Sequence, residues 1–381
     1  MAALWAPACT AEAPGRTEHA PVAHPPSAPA PPPAPPGPPV PTGAPAVSIP
    51  GRVGIDGTLF TNADGSRFHW RGITAFRLVE QVAHERESEA AAYLDWARDN
   101  GITVVRVLTM AKHLFELTPA DGLAALPRLL TLAAERGVHV EVVALADTAE
   151  YDVDLDAHVS AVGKIAAAHP NAFLEIANEP FHGTQDAALH DRATLDRLAA
   201  LVPAEVVVAY GSAEPERSGG GDYVTVHMPR GGGPWEHVRE LAAGASLVAH
   251  HGRPVVSDEP IGAAPAAIPG RRDDSPERFR AAALLTRMTG MHATFHYERG
   301  LQAEVALGAE LRAFEAWLEA WTLLPDDIER GSFRVVDTAR GAWFETRLDG
   351  EVWALTIQGS SPGEGFALVS RWPESALWRR R

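Results

Sequence analysis

From residue 51 onward, short apolar runs alternate with longer stretches whose apolar positions recur at helical spacing. Short runs bounded by Gly or Pro read as buried strands, and the longer stretches as helices laying one face against them. The pattern predicts strands over 68–74, 103–108, 138–145, 173–177, 205–209, 223–227, 254–257 and 293–296. Helices are expected over 87–100, 123–136, 156–169, 185–201, 235–249, 276–289 and 304–321. Gly101, Gly137 and Pro170 follow the first three of these and should stop them. The segment 212–221 is too rich in Gly for a full helix.

Eight strand–helix units in about 275 residues match an α/β chain folded as a (β/α)8 TIM barrel. A doubly wound sheet alternates in the same way. However, no G-x-G-x-x-G follows the first strand and no G-x-x-x-x-G-K-[ST] occurs, so the nucleotide-binding versions lose support.

The two ends differ from this middle. Residues 21–50 hold 14 prolines and almost no large apolar side chain, so 1–50 is expected to be a disordered, extended linker. Residues 51–69 read as a small hairpin, with Ile55-Asp56-Gly57-Thr58 and Ala63-Asp64-Gly65-Ser66 as turns. The barrel is expected over 51–325. Beyond Pro325 the period changes to alternating strands over 333–337, 342–348, 351–358 and 366–370, with Asp349-Gly350 as a hairpin turn. About 50 residues of strand are marginal alone, so 326–381 should be a β appendage packed on the barrel. The closing Arg379-Arg380-Arg381 is expected to be solvated.

The formal net charge of -16 argues against nucleic acid or an anionic membrane as partner. Cys9 is the sole cysteine, which excludes an intrachain disulfide and a Cys-based zinc site or nucleophile within the fold. Small and apolar residues precede Cys9, so a lipid anchor there is one expectation and a plain disordered start the other. With the proline spacer, this points to an extracellular or envelope-attached protein. No run approaches the roughly 18 apolar residues of a membrane span. A monomer without cofactor or metal is expected.

Candidate chemistry lies at the C-terminal ends of the strands, the functional face of a parallel barrel. Those ends carry Arg106, Asp147, Asn178, Glu179, His227, Asp258, Glu259, His296, Tyr297 and Glu298. Two strands end alike, Phe173-Leu174-Glu175-Ile176-Ala177-Asn178-Glu179-Pro180 and Val255-Val256-Ser257-Asp258-Glu259-Pro260. They are the fourth and seventh, on opposite sides of an eight-strand ring. Two glutamates facing across a cleft suit glycoside hydrolysis, one giving a proton while the other attacks or activates water. Arg106 beside Glu259 would keep it ionised. Strand alternation should turn Asp258 away from Glu259. Trp235 is a packing residue or a sugar-stacking platform.

Leu174-Glu175-Ile176-Ala177-Asn178-Glu179-Pro180 resembles the strand-four signature of the clan A glycoside hydrolases, and the chain most resembles family 5, the cellulase family. Trp70-Arg71-Gly72-Ile73 after Asp64-Gly65, the run Asn100-Gly101-Ile102-Thr103-Val104-Val105-Arg106-Val107, and Val255-Val256-Ser257-Asp258-Glu259 are similar to other family segments. The resemblance implies retaining cleavage of a β-linked glycan, with Glu179 as acid/base, Glu259 as nucleophile and Asn178 on the sugar 2-hydroxyl. Arg106, His227, His296 and Tyr297 would line the substrate site. The family usually has His-x-Tyr after strand six, and this chain has His227-Met228-Pro229. It usually has a tryptophan after strand eight, where this chain has Phe295-His296-Tyr297. The family's usual histidine after strand three is not evident near Asp147. Two other functions fit the same barrel. One is a catalytically weak carbohydrate-binding envelope protein. The other is a metal-dependent hydrolase using His227, His292, His296 and Asp258.

Overall fold

The structure, a computed structural model, describes residues 50–211, 219–229, 233–263, 272–338 and 341–381. The proline-rich start with Cys9, and most of the Gly-rich stretch after the fifth barrel strand, lie outside these.

A two-strand hairpin, β1 (Gly54–Asp56) and β2 (Leu59–Thr61), comes first. Eight parallel strands follow: β3 (Arg71–Thr74), β4 (Val104–Leu108), β5 (His139–Leu145), β6 (Ala172–Ala177), β7 (Val208–Gly211), β8 (Val224–Val226), β9 (Val255–Ser257) and β10 (His292–Phe295). β3 to β7 pair in chain order, as do β8 to β10, and β10 pairs back onto β3, which curls the sheet on itself. Between β7 and β8 the ring is joined locally, by the Asp222 amide on the Val208 carbonyl and the Asp222 carboxylate on the Val208 amide. This is the expected (β/α)8 barrel.

Strand interiors are buried on both faces, so β4, β5 and β6 read as apolar runs interrupted only by Arg106, His139, Glu141 and Glu175. The hairpin seals one end. Phe60, Phe68, Trp70, Phe173 and Tyr223 pack together there, with Phe60 and Trp70 stacked at 5.0 Å. His292, at the start of β10, belongs to this end: it lies 4.9 Å from the Phe60 ring and contacts the Thr58 carbonyl.

The helices follow the expected pattern with shifted ends. Thr118 caps the helix Pro119–Ala134, so it starts earlier than its apolar period suggested. Residues 235–249 divide into Pro234–Glu240 and Gly244–His251 around a 3-10 turn. Within the predicted helix over 185–201, only Arg192–Ala199 is α-helical. No helix among the described residues is long and apolar enough to cross a membrane.

The C-terminal sheet has five strands where four were expected: β11 (Ser332–Thr338), β12 (Gly341–Leu348), β13 (Glu351–Ile357), β14 (Ala367–Arg371) and β15 (Ser375–Arg380). β15 inserts between β13 and β14. This corrects the reading of the arginine end as merely solvated. Arg379 pairs opposite Trp353 and lies over its ring, while Glu351 takes ion pairs from Arg379 and Arg381. Stacking on tryptophan buries the arginine stems, so a basic run can sit in a strand. Barrel and sheet belong to one compact unit, and the Thr346 hydroxyl donates to the Met288 carbonyl across their boundary.

Candidate active site

At the C-terminal mouth of the barrel, opposite the hairpin, the fold brings Glu179, His227, Glu259, His296, Arg106 and Asn178 together. The His227 ring stands between the two glutamates, with Nδ1 2.9 Å from Glu179 Oε1 and Nε2 3.3 Å from Glu259 Oε1. On the far side of Glu259, His296 Nε2 lies 3.5 Å from Oε2. Arg106 reaches up from β4 to the same carboxylate, Nη1 to Oε1 at 3.5 Å.

Glu179 adopts a left-handed backbone, φ 48°, directly after β6 and before Pro180. A non-glycine residue in that region carries strain that the surroundings must hold. They do: the Asn178 amide bonds to the Leu145 carbonyl, and the buried Gln185 amide group bonds to the Asn178 carbonyl. Burial pushes the Glu179 carboxyl up, but the hydrogen bond and charge of His227 outweigh it and hold the carboxyl below its ordinary range.

Arg106 is the structural centre of the site and is only 1% exposed. Its Nε and Nη2 make two bonds to Glu175, 3.0 and 2.9 Å, the fork geometry that suits a guanidinium. Nη2 also donates to Asn178 Oδ1 at 3.0 Å. Asp258 and Glu141 approach Nε at 3.7 and 3.8 Å. Burial alone would lower the guanidinium's pKa, but Glu175, Asp258 and Glu141 hold it well above its ordinary value. The carboxyls respond in turn. Burial and the nearby carboxylates push Glu141 up to about 8 and Asp258 well above its usual range, so both favour their protonated forms. Tyr223 donates to Glu141 at 2.8 Å. Glu141, Glu175 and Asp258 each bring an oxygen within 4.8 Å of the others, a spacing that suits a cation. The Arg106 guanidinium is already seated among them as that cation.

The expectation that alternation would turn Asp258 away from Glu259 does not hold. β9 ends at Ser257, so both residues lie past the pleat, and both side chains reach Arg106. Tyr297 does not join the pair. Its hydroxyl is 3.0 Å from that of Tyr93 and donates to the Glu304 carbonyl, among the packing residues around Phe295. Trp235 is 7% exposed, with its indole N–H on Glu374 of the C-terminal sheet, which makes it a packing residue. Arg299 pairs with Glu304. Asp147 organises loops: its carboxylate accepts the Lys112 and His113 amides, tying the loop after β5 to the loop after β4. The histidines grouped for a metal reading are divided, since His292 packs at the hairpin end while His227 and His296 flank Glu259.

Sequence reasoning passed over Thr74, Glu141, Glu175, Gln185 and Tyr223 as site-building residues. Glu141 and Glu175 carried a usable signal, a charge in the middle of a strand buried on both faces. Thr74, Gln185 and Tyr223 carried none.

No protein-family model matches the chain, and no curated protein matches it in sequence. Solved structures share its architecture. A glycoside hydrolase family 5 protein from Bacteroides vulgatus superposes with a TM-score of 0.54 at 15% identity, over 80% of this chain and 80% of that one. A β-glucanase from Saccharophagus degradans, solved with cellotetraose, gives 0.54 at 12% identity over 74% of this chain and 98% of that one. An exo-β-1,4-mannosidase from an Opitutaceae bacterium gives 0.51 at 17% identity over 70% and 61%. The chain therefore has the barrel fold found in glycoside hydrolases of family 5.

Proposed function

We propose that this protein is a retaining glycoside hydrolase that cleaves a β-linked glycan. The supporting observation is the arrangement at the barrel mouth: two glutamates from β6 and β9, bridged by one imidazole, with a buried arginine on one of them. Glu259 is the nucleophile, kept ionised by Arg106. A carboxylate oxygen attacks the anomeric carbon, the bond to the leaving oxygen breaks, and Glu179 gives that oxygen its proton. Water then attacks the glycosyl ester, Glu179 takes the water's proton, and the Glu259 carboxylate is released.

An acid catalyst needs a proton at hand. The Glu179 carboxyl is held low by His227, so the pair is the acid: one proton lies between Oε1 and Nδ1 and leaves through Glu179 when a basic leaving oxygen arrives. Asn178, fixed by Arg106, is the hydrogen-bonding group beside the sugar. The neighbouring folds make β-glucans and β-mannans the first substrates to try.

The test is reducing-sugar release over a polysaccharide panel, wild type beside Glu259→Ala, with the first product's anomer read by NMR. Release of the β anomer, lost in the variant, supports retention by two glutamates. Release of the inverted anomer would refute it. One observation favours a second reading. A Glu179 that stays ionised at neutral pH is a poor acid, which fits a catalytically weak carbohydrate-binding protein. Glycan binding without release, unchanged by Glu259→Ala, would support that protein instead.

A further inference from the structure

We propose that His296, oriented by Thr74, is a positioning residue that donates its Nε2–H to Glu259 and fixes the plane of that carboxylate for attack; the role in attack rests on the hydrolase function proposed above. His296 and Thr74 are 2% and 0% exposed. They sit side by side because β3 and β10 pair in parallel, Ile73 opposite Phe295. The Thr74 hydroxyl is 2.9 Å from His296 Nδ1. Nε2 faces Glu259 Oε2 at 3.5 Å.

Proton bookkeeping sets the direction of this chain. An ionised carboxylate only accepts, so Nε2 must carry a proton. In the neutral ring Nδ1 then has a lone pair, and the Thr74 hydroxyl donates to it. The carboxylate thus sets the tautomer, and the Thr74 hydroxyl completes it by donating to Nδ1 and holding the ring in place.

Among the described residues, groups from four strands and from its own loop face Glu259. Arg106 on β4 and His227 after β8 both approach Oε1, Glu179 after β6 stands beyond His227, and Asp258 adjoins it in the chain. His296 is placed on Oε2. The terminal torsion of a glutamate is broad, so the carboxylate plane is set by the groups that touch its two oxygens. A donor on Oε2, beside those on Oε1, helps to hold that plane and favours the ionised form.

The backbone holds His296 in place. Gly262, at φ 118°, passes so close that a Cβ there would lie 1.8 Å from the His296 carbonyl oxygen. Residue 262 therefore has to be glycine for the loop after β9 to lie against β10.

The experiment titrates the Glu259 side-chain carboxyl by 13C NMR in the full chain, for wild type, His296→Leu, His296→Gln, Thr74→Val and Thr74→Ser. The same proteins are assayed for the burst and steady state on an activated aryl β-glycoside. His296→Leu should raise the Glu259 titration midpoint by about one pH unit, the effect of losing one hydrogen bond to a charged group. It should also slow glycosylation roughly 10–100-fold with KM little changed. Thr74→Val should move both in the same direction by less, and Thr74→Ser should restore them. His296→Gln, which keeps an N–H, should recover much of the rate. A Glu259 midpoint unmoved in folded His296→Leu and Thr74→Val overturns the proposal and leaves His296 as a packing residue. A moved midpoint in a protein that cleaves no glycoside upholds the donor role and refutes the hydrolase function.

Discussion

Replacing Arg106 by Met should be the most damaging single change inside the barrel. The guanidinium and the Glu175 carboxylate are 1% and 0% exposed and share two bonds of 3.0 and 2.9 Å. Removing one partner of such a pair leaves the other charged and unsolvated, which costs about 3–5 kcal/mol. That is a large share of the roughly 5–15 kcal/mol that holds a domain together. Glu175→Gln should cost less, about 2 kcal/mol, because Asp258 and Glu141 stand 3.7 and 3.8 Å from Nε and can lose their protons to balance it. Making both changes removes charge and countercharge together, so the double variant should be more stable than the sum of the two losses allows. A coupling of about 1–3 kcal/mol is expected for groups in direct contact. Urea unfolding followed by circular dichroism at pH 7 measures all four proteins, and a constant slope licenses the comparison. Additivity within about 0.5 kcal/mol, or an Arg106→Met loss below about 1 kcal/mol, would refute the idea that this pair is the electrostatic centre of the barrel.

Three further outcomes follow from individual contacts. Glu179→Ala should slow cleavage of glycosides with poor leaving groups about 10²–10⁴-fold and spare aryl glycosides with acidic leaving groups, and comparable losses on both would exclude an acid role. Glu141 is pushed up to about 8 in the fold, against 4.5 for a free glutamate. Between those two values the unfolded chain gives up its proton while the folded one keeps it, so this group lowers stability as pH rises. Glu141→Gln should therefore raise the urea midpoint more at pH 8 than at pH 5, and an equal change at both would contradict the raised value. Tyr297→Phe should cost about 1 kcal/mol through its bonds to Tyr93 and Glu304, with kcat unchanged. A large fall in kcat in the folded variant would return Tyr297 to the substrate site.

The architecture was legible in the sequence because its signals are local. Strands buried on both faces must be apolar throughout, and Gly or Pro must punctuate them, so β4, β5, β6 and β9 stood out. Weak periodicity hid other features. The strand β15 was missed because Arg379 and Arg380 look like a solvated tail until Trp353 and Phe366 are brought over them. Helix 185–201 was overextended because the loop after Glu179 is held by Gln185 and Thr148, a contact between distant strand ends.

The sequence by itself determined the period of the chain, the opposed ends of β6 and β9, and the residues placed there, because these depend on spacing along one strand. Tertiary structure decided what each residue does. It closed the ring, which put His227 between Glu179 and Glu259, His296 on the second carboxylate oxygen and Tyr297 among the packing residues. It also gathered Glu141, Glu175 and Asp258 around Arg106. Hydrogen bonds and ion pairs between residues far apart in the chain depend on distances of a few ångströms, and only the folded barrel sets those distances.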